Sequence, residues 1–302
     1  MYRQLASLFP PLAYVERVPL SRDQLMLLLT AANGLLLGLD HYLAHMVSGT
    51  VVGREWIPIV FEPIAGALLL LLGIVALRRR SLATIAGSLI LLASIAVGLL
   101  GAYFHFLRAV LPGAPAGQRI SLALLVWAPP VLGPLFLALV GMVGISAVWQ
   151  EEPPDSGRLL LVAGRTVHMP YSKTRAYFFL VALGALAATI SSVLDHSRTG
   201  FENPWLWLPT AVGVLATAVA LGMGALRRRG LADVLTYAGA MTLMLLVGVV
   251  GFVLHVQHDL VAGSTIVVER FIRGAPLMAP LLFSNMGLLG LIVLYDRAER
   301  PE

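Results

Sequence analysis

Six of the seven histidines in this 302-residue chain, His41, His45, His105, His196, His255 and His258, fall at the ends of long apolar stretches; His168 is the exception. Imidazole at such positions serves as an axial ligand to haem iron, as a ligand to a transition-metal ion, or as a proton carrier. The chain has no cysteine, which removes thiolate ligands, iron–sulfur clusters and disulfides. His, carboxylate, Met and backbone groups remain as ligands. Ionisable side chains within apolar segments are costly and default to a functional reading. His41 and His45, four residues apart, share a helix face, and with His105 and Glu62 they make a three-histidine, one-carboxylate set suited to zinc, copper, iron or nickel. His196, His255 and His258 with Glu202 form a second candidate set.

Helical phase points first to a different cofactor. Spacings of three and four return to one helix face, so Gly34, Gly38, His41 and His45 share a stripe, as do Gly98, Gly101 and His105, and Gly248, Gly251 and His255. Behind His196 lie Ser192, Thr189 and Ala188. Each histidine thus tops a run of small residues, a groove that would admit a flat macrocycle edge-on. The leading expectation is two bis-histidine haem b sites, His41 or His45 with His105, and His196 with His255, with Gly38, Gly101 and Gly251 making room. Arg108 and Arg198 stand where haem propionates need cations. Bacteriochlorophyll would use the same ligands. The function implied is a membrane b-type cytochrome or haem-dependent oxidoreductase subunit, exchanging electrons with quinol or a partner subunit. The alternatives are a transition-metal enzyme or permease built on the same histidines and Glu62, and a cofactor-free scaffold or transporter subunit in which the glycines only pack helices.

These residues need a membrane to hold them. Apolar residues make up 58% of the chain and charged ones 12%, with mean hydropathy +0.86, far from soluble composition. Apolar stretches at 24–47, 56–77, 81–107, 120–150, 176–196, 203–226, 234–257 and 274–295 approach or exceed the roughly 20 residues that cross a bilayer as helix. They lack the alternation of barrel strands. The expected class is an all-α integral membrane protein of about eight transmembrane helices. Fifteen of the 21 Lys and Arg fall on the side of the termini and six on the other, which predicts cytoplasmic termini, an inner-membrane location and extracytoplasmic histidines. The net charge of +5 reads as topology signal and lipid headgroup contact, not nucleic-acid binding. The only lysine, Lys173, falls in an expected cytoplasmic loop, which removes a retinal Schiff base.

Landmarks recur at an offset of about 150 residues. Ala76–Arg80 matches Ala225–Arg229, Leu39-Asp40-His41 matches Leu194-Asp195-His196, the Gly98/Gly101/His105 spacing matches Gly248/Gly251/His255, and Ala128-Pro129 matches Ala279-Pro280. The division expected is an interfacial arm at 1–23, a four-helix unit at 24–150, a cytoplasmic linker at 151–174 and a second four-helix unit at 175–302, a parallel repeat. His45 and Glu62 have no counterparts in the second unit, which marks them as the catalytic, proton-exchanging pair for a substrate or quinone. Asp40 and Asp195 are candidates to orient the neighbouring histidines. Pro129, Pro130 and Pro134 break the fourth helix and Pro276 and Pro280 the eighth, as kinks or as a lateral opening.

The four-plus-four arrangement with outer histidines resembles haem A synthase, whose family binds haem through paired histidines in each half. There the histidines lie on even-numbered helices and here on odd ones, so that activity is not carried over. Gly38-Leu-Asp-His-Tyr-Leu-Ala-His45 is similar to a stretch of the nickel and cobalt permeases, over eight residues and without their preceding His-Pro. P-loop, G-x-S-x-G and H-E-x-x-H motifs are absent from the sequence.

Overall fold

The chain was analysed as a computed structural model, which describes residues 8, 20–76, 78–110, 112–127, 130–161, 164–260 and 278–295. Most of the expected arm at 1–23, Ala128–Pro129 and the 261–277 connection lie outside them. The described structure is helical apart from one small sheet. Its helices are α1 (Arg22–Val47), α2 (Trp56–Val75), α3 (Arg80–Ala109), α4 (Leu122–Val126), α5 (Leu132–Val148), α6 (Lys173–Ser197), α7 (Trp207–Ala225), α8 (Leu231–Leu260) and α9 (Ala279–Val293). Six of them, α1, α2, α3, α6, α7 and α8, are long and apolar enough to cross a membrane. α5 and α9, at 17 and 15 residues, fall short of a full hydrocarbon crossing.

Local chemistry sets the boundaries. α1 opens on a capping box: Ser21 Oγ accepts from Gln24 N at 3.2 Å while Ser21 N donates to Gln24 Oε1 at 2.8 Å, satisfying two otherwise unpaired amides. The single fourth helix expected over 120–150 is broken into α4 and α5, because the prolines there remove helix N–H donors and clash with the preceding turn. The expected 151–174 linker carries an antiparallel three-stranded sheet, β1 (Gln150–Glu151), β2 (Arg158–Leu160) and β3 (Thr166–His168), in which Glu151 faces Leu159 and Arg158 faces His168. Gly157, at φ +75°, turns the chain where a Cβ would sit 2.8 Å from the Met169 carbonyl oxygen. The Glu151 carboxylate accepts from the Gly157 and Lys173 amides at 2.7 and 2.9 Å, which ties this hairpin to the start of α6.

Packing follows the small residues. α1 packs chiefly on α2 and then α5, and α3 on α5 and then α2; likewise α6 packs on α7 and then α9, and α8 on α9 and then α7. α5 meets α6, and α9 meets α1, to join the two sets. The glycine stripes are the contact points. A Cβ on Gly98 would lie 2.6 Å from the Pro134 carbonyl, one on Gly101 2.9 Å from Pro134 Cβ, one on Gly251 3.0 Å from Pro280 Cβ, and one on Gly38 2.5 Å from the Pro63 ring. At these points the stripes are met by neighbouring helices, in the manner of small-residue packing of membrane helices.

The polar end of the molecule differs from expectation at Lys173. It is the first residue of α6, 1% exposed, not a loop residue. Its ammonium is paired with Asp23 of α1 and donates to the Trp149 carbonyl at 2.6 Å, while Tyr177 OH donates to the other Asp23 oxygen at 3.0 Å. Several arginines also serve helix ends. Arg80 donates to the Ala147 and Val148 carbonyls, Arg175 to Gly224 and Arg229 to Met223, where C-terminal carbonyls need partners and cations are favoured by the helix dipole.

Two stability outcomes follow. Lys173→Met is expected to cost about 2–3 kcal/mol, at or below the low end for a broken buried pair because Arg22 also approaches Asp23, at 3.8 Å; adding Asp23→Leu should recover part of it. Gly98→Ala is expected to cost about 1–3 kcal/mol through overpacking against α5. Reversible unfolding in mixed detergent micelles measures both.

Candidate functional site

The stripe that packs α1 on α2 carries one turn further to His41, and there it meets Glu62. His41 Nδ1 lies 2.7 Å from Glu62 Oε1 and 2.9 Å from Oε2. Glu62 is fully buried and His41 is 4% exposed, so each is the polar partner that the other's burial requires. Glu62, and not Asp40, holds His41. Against a carboxylate, Nδ1 carries the proton and Nε2 is left with its lone pair. That Nε2 is buried without a hydrogen-bond partner and lies 3.0 Å from where a Gly133 Cβ would be.

One turn along, His45 Nδ1 lies 2.9 Å from Thr50 Oγ1, in the turn that follows α1. His105 comes from the far end of α3, where its Nδ1 donates to the Pro130 carbonyl at 3.1 Å. The break between α4 and α5 thus has a consequence: the proline-rich bend presents a carbonyl outside any helix, and His105 takes it. The His45 and His105 rings meet edge to face with centroids 5.6 Å apart. Of the two partners expected for His105 across the first unit, His45 is the one in ring contact. His41, His45 and His105 line one small cleft of about 40 Å³, open to the surface, with Arg54 and Glu55 also in its lining. Gly101 lines it as well while packing on Pro134.

In the second unit His196 Nδ1 lies 3.3 Å from Ser192 Oγ, so Ser192 and not Asp195 is its partner. Its ring stands against Phe201, which stacks on Trp207 at 4.3 Å. His255 lies within electrostatic range of His196, whereas His258 and Glu202 are exposed. Arg108 donates to the Leu124 carbonyl at 3.3 Å, and the Arg198 guanidinium sits over the Trp127 ring at 5.7 Å. Among the described residues no group of three or more His, Asp or Glu side chains is already disposed around one point as metal ligands. Thr50 and Pro130 escaped the sequence reading. The spacing of five between His45 and Thr50 across a helix end was the available signal for the first; no sequence signal pairs Pro130 with His105.

Glu62→Leu is expected to lower stability by about 1–3 kcal/mol, since it strands the His41 N–H in a dry site. Glu62→Gln, which keeps an acceptor oxygen, should cost clearly less. Thermal unfolding of the two variants in detergent checks the order. No family model matches the chain, and no curated protein and no solved structure matches it either.

Proposed function

We propose that this multi-pass membrane protein carries a histidine-ligated transition-metal centre in its first four-helix unit, formed by His45, His105 and His41, and performs metal-dependent chemistry there. The observation that carries this reading is the shared use of one ring nitrogen in three histidines of one cleft: in His41, His45 and His105 alike, Nδ1 is engaged by a protein group. Histidines that bind metals are held in this way, the second nitrogen fixing tautomer and ring orientation. Glu62 is then the orienting carboxylate behind His41. The ion would supply Lewis acidity or an activated water, with a coordination position open on the cleft.

The His45 and His105 rings are in edge-to-face contact, with centroids 5.6 Å apart, so these two would hold the ion, with His41 beside them in the same cleft. Bis-histidine haem b sites are the second reading, supported by the proximity of His196 and His255.

The architecture proposed is a tandem repeat of two four-helix units with eight membrane-inserted helices, cytoplasmic termini, and the histidines at the extracytoplasmic side of the inner membrane. The common neighbour order of the two helix sets supports it. So do matched contacts: Gly98 on Pro134 and Ala138 corresponds to Gly248 on Pro280 and Ser284, and Gly141 on Leu91 to Gly287 on Met241.

Elemental analysis of protein purified from metal- and haem-replete cells is the test. One first-row transition-metal ion per chain, lost in His45→Ala and His105→Ala, is expected. A Soret band with porphyrin iron would establish the haem reading in its place, and a folded protein with neither would sink both.

A further inference from the structure

The cleft lining has two sides of different character. On the polar side the Arg54 guanidinium lies over the Phe104 ring at 4.6 Å and donates to Glu55 at 3.2 Å. The other side is the seam between α2 and α3. Ile57 of α2 and Leu100 of α3 both line the cleft, yet they are 48% and 44% exposed on the outer surface of the bundle. Val60 and Tyr103, their neighbours on that surface, are exposed too. An apolar outer face on membrane-length helices is a face toward lipid. The cleft therefore joins hydrocarbon on one side to three imidazoles on the other, with Pro58, Val97 and Phe104 as apolar walls between.

We infer that the substrate of this site is a membrane-dissolved amphiphile that enters between α2 and α3, apolar tail left in the bilayer and oxygen-bearing head group reaching the histidines. The inference rests on the metal reading for the chemistry at the inner end. Its polarity profile supports the class: an apolar throat excludes ions and sugars, whose desolvation it cannot compensate. A neutral imidazole nitrogen accepts from a hydroxyl, and a bound ion takes a hydroxyl or carbonyl oxygen. Among the described residues the second unit differs at the matching place: His196 is faced by Phe201, and the α7 position that packs on Thr189 is Gly213, with the Thr189 hydroxyl filling the space a side chain there would need.

The absence of cysteine from the sequence makes a direct test available. Val97→Cys places a single thiol on the cleft wall, and metal-free protein in lipid nanodiscs is treated with a maleimide on a dodecyl tail or one carrying a sulfonate. The tailed reagent is expected to react at least about tenfold faster, as its partitioning into lipid implies, and Leu100→Trp should bring its rate down to that of the sulfonated one while leaving the melting temperature unchanged. Equal rates for the two reagents, or a tailed-reagent rate untouched by Leu100→Trp, would overturn lateral entry. Ile57→Cys repeats the measurement at the seam itself should Val97→Cys fail to fold. Because no metal is present, failure here leaves the metal proposal standing, and failure of the elemental analysis leaves this result standing.

Discussion

Hydrocarbon offers no water to a polar group, so any donor or acceptor carried into it must be met by another part of the protein. Much of the arrangement described above is a response to that requirement. Glu62 is tolerated at full burial because His41 faces it, and His41 because of Glu62. The Pro130 carbonyl in the bend after α4 is met by the Gly133 amide at 3.3 Å and by His105 Nδ1 at 3.1 Å. Lys173 lies buried at the start of α6 because Asp23, the Trp149 carbonyl and the Tyr177 hydroxyl form a closed polar group around it.

Such groups also determine where the two helix sets meet. Asp23 belongs to α1 and Lys173 to α6, residues about 150 apart in sequence, so their pairing fastens the start of one set to the start of the other. At the opposite ends the link is lighter: the exposed Trp127 indole donates to the Leu194 carbonyl at 3.3 Å, beneath the Arg198 guanidinium. Buried, mutually satisfied pairs are costly to open, whereas exposed contacts are cheap. Between the two helix sets, the histidine end is thus the more lightly tied.

Nδ1 of each cleft histidine is committed to structure. That commitment explains why the glycine stripes and the histidines occur together. Gly34 and Gly38 bring α1 against α2 closely enough for His41 to reach Glu62, and Gly98 and Gly101 bring α3 against α5 closely enough for His105 to reach Pro130. The small residues position the histidines; the volume they leave is taken up by helix backbone and proline rings.

Composition and hydrophobic run length alone determined that the chain is helical and suited to a bilayer, because backbone satisfaction in lipid permits little else. Helical phase determined that His41 and His45 share a face and that each histidine stands beyond a run of small residues, since those relations are local and periodic. What helical phase could not supply is which neighbour meets each stripe, because that depends on interhelical distance. The tertiary structure decided that when Pro63, Pro134 and Pro280 came to lie against Gly38, Gly101 and Gly251. The same holds for Lys173, whose sequence neighbours read as a loop and whose partner lies in another helix, and for the lone Glu62, whose role appears only when α1 brings His41 beside it. Distance along the chain carries no trace of these pairings; they exist because a buried polar group is stabilised by the partner that packing brings within reach.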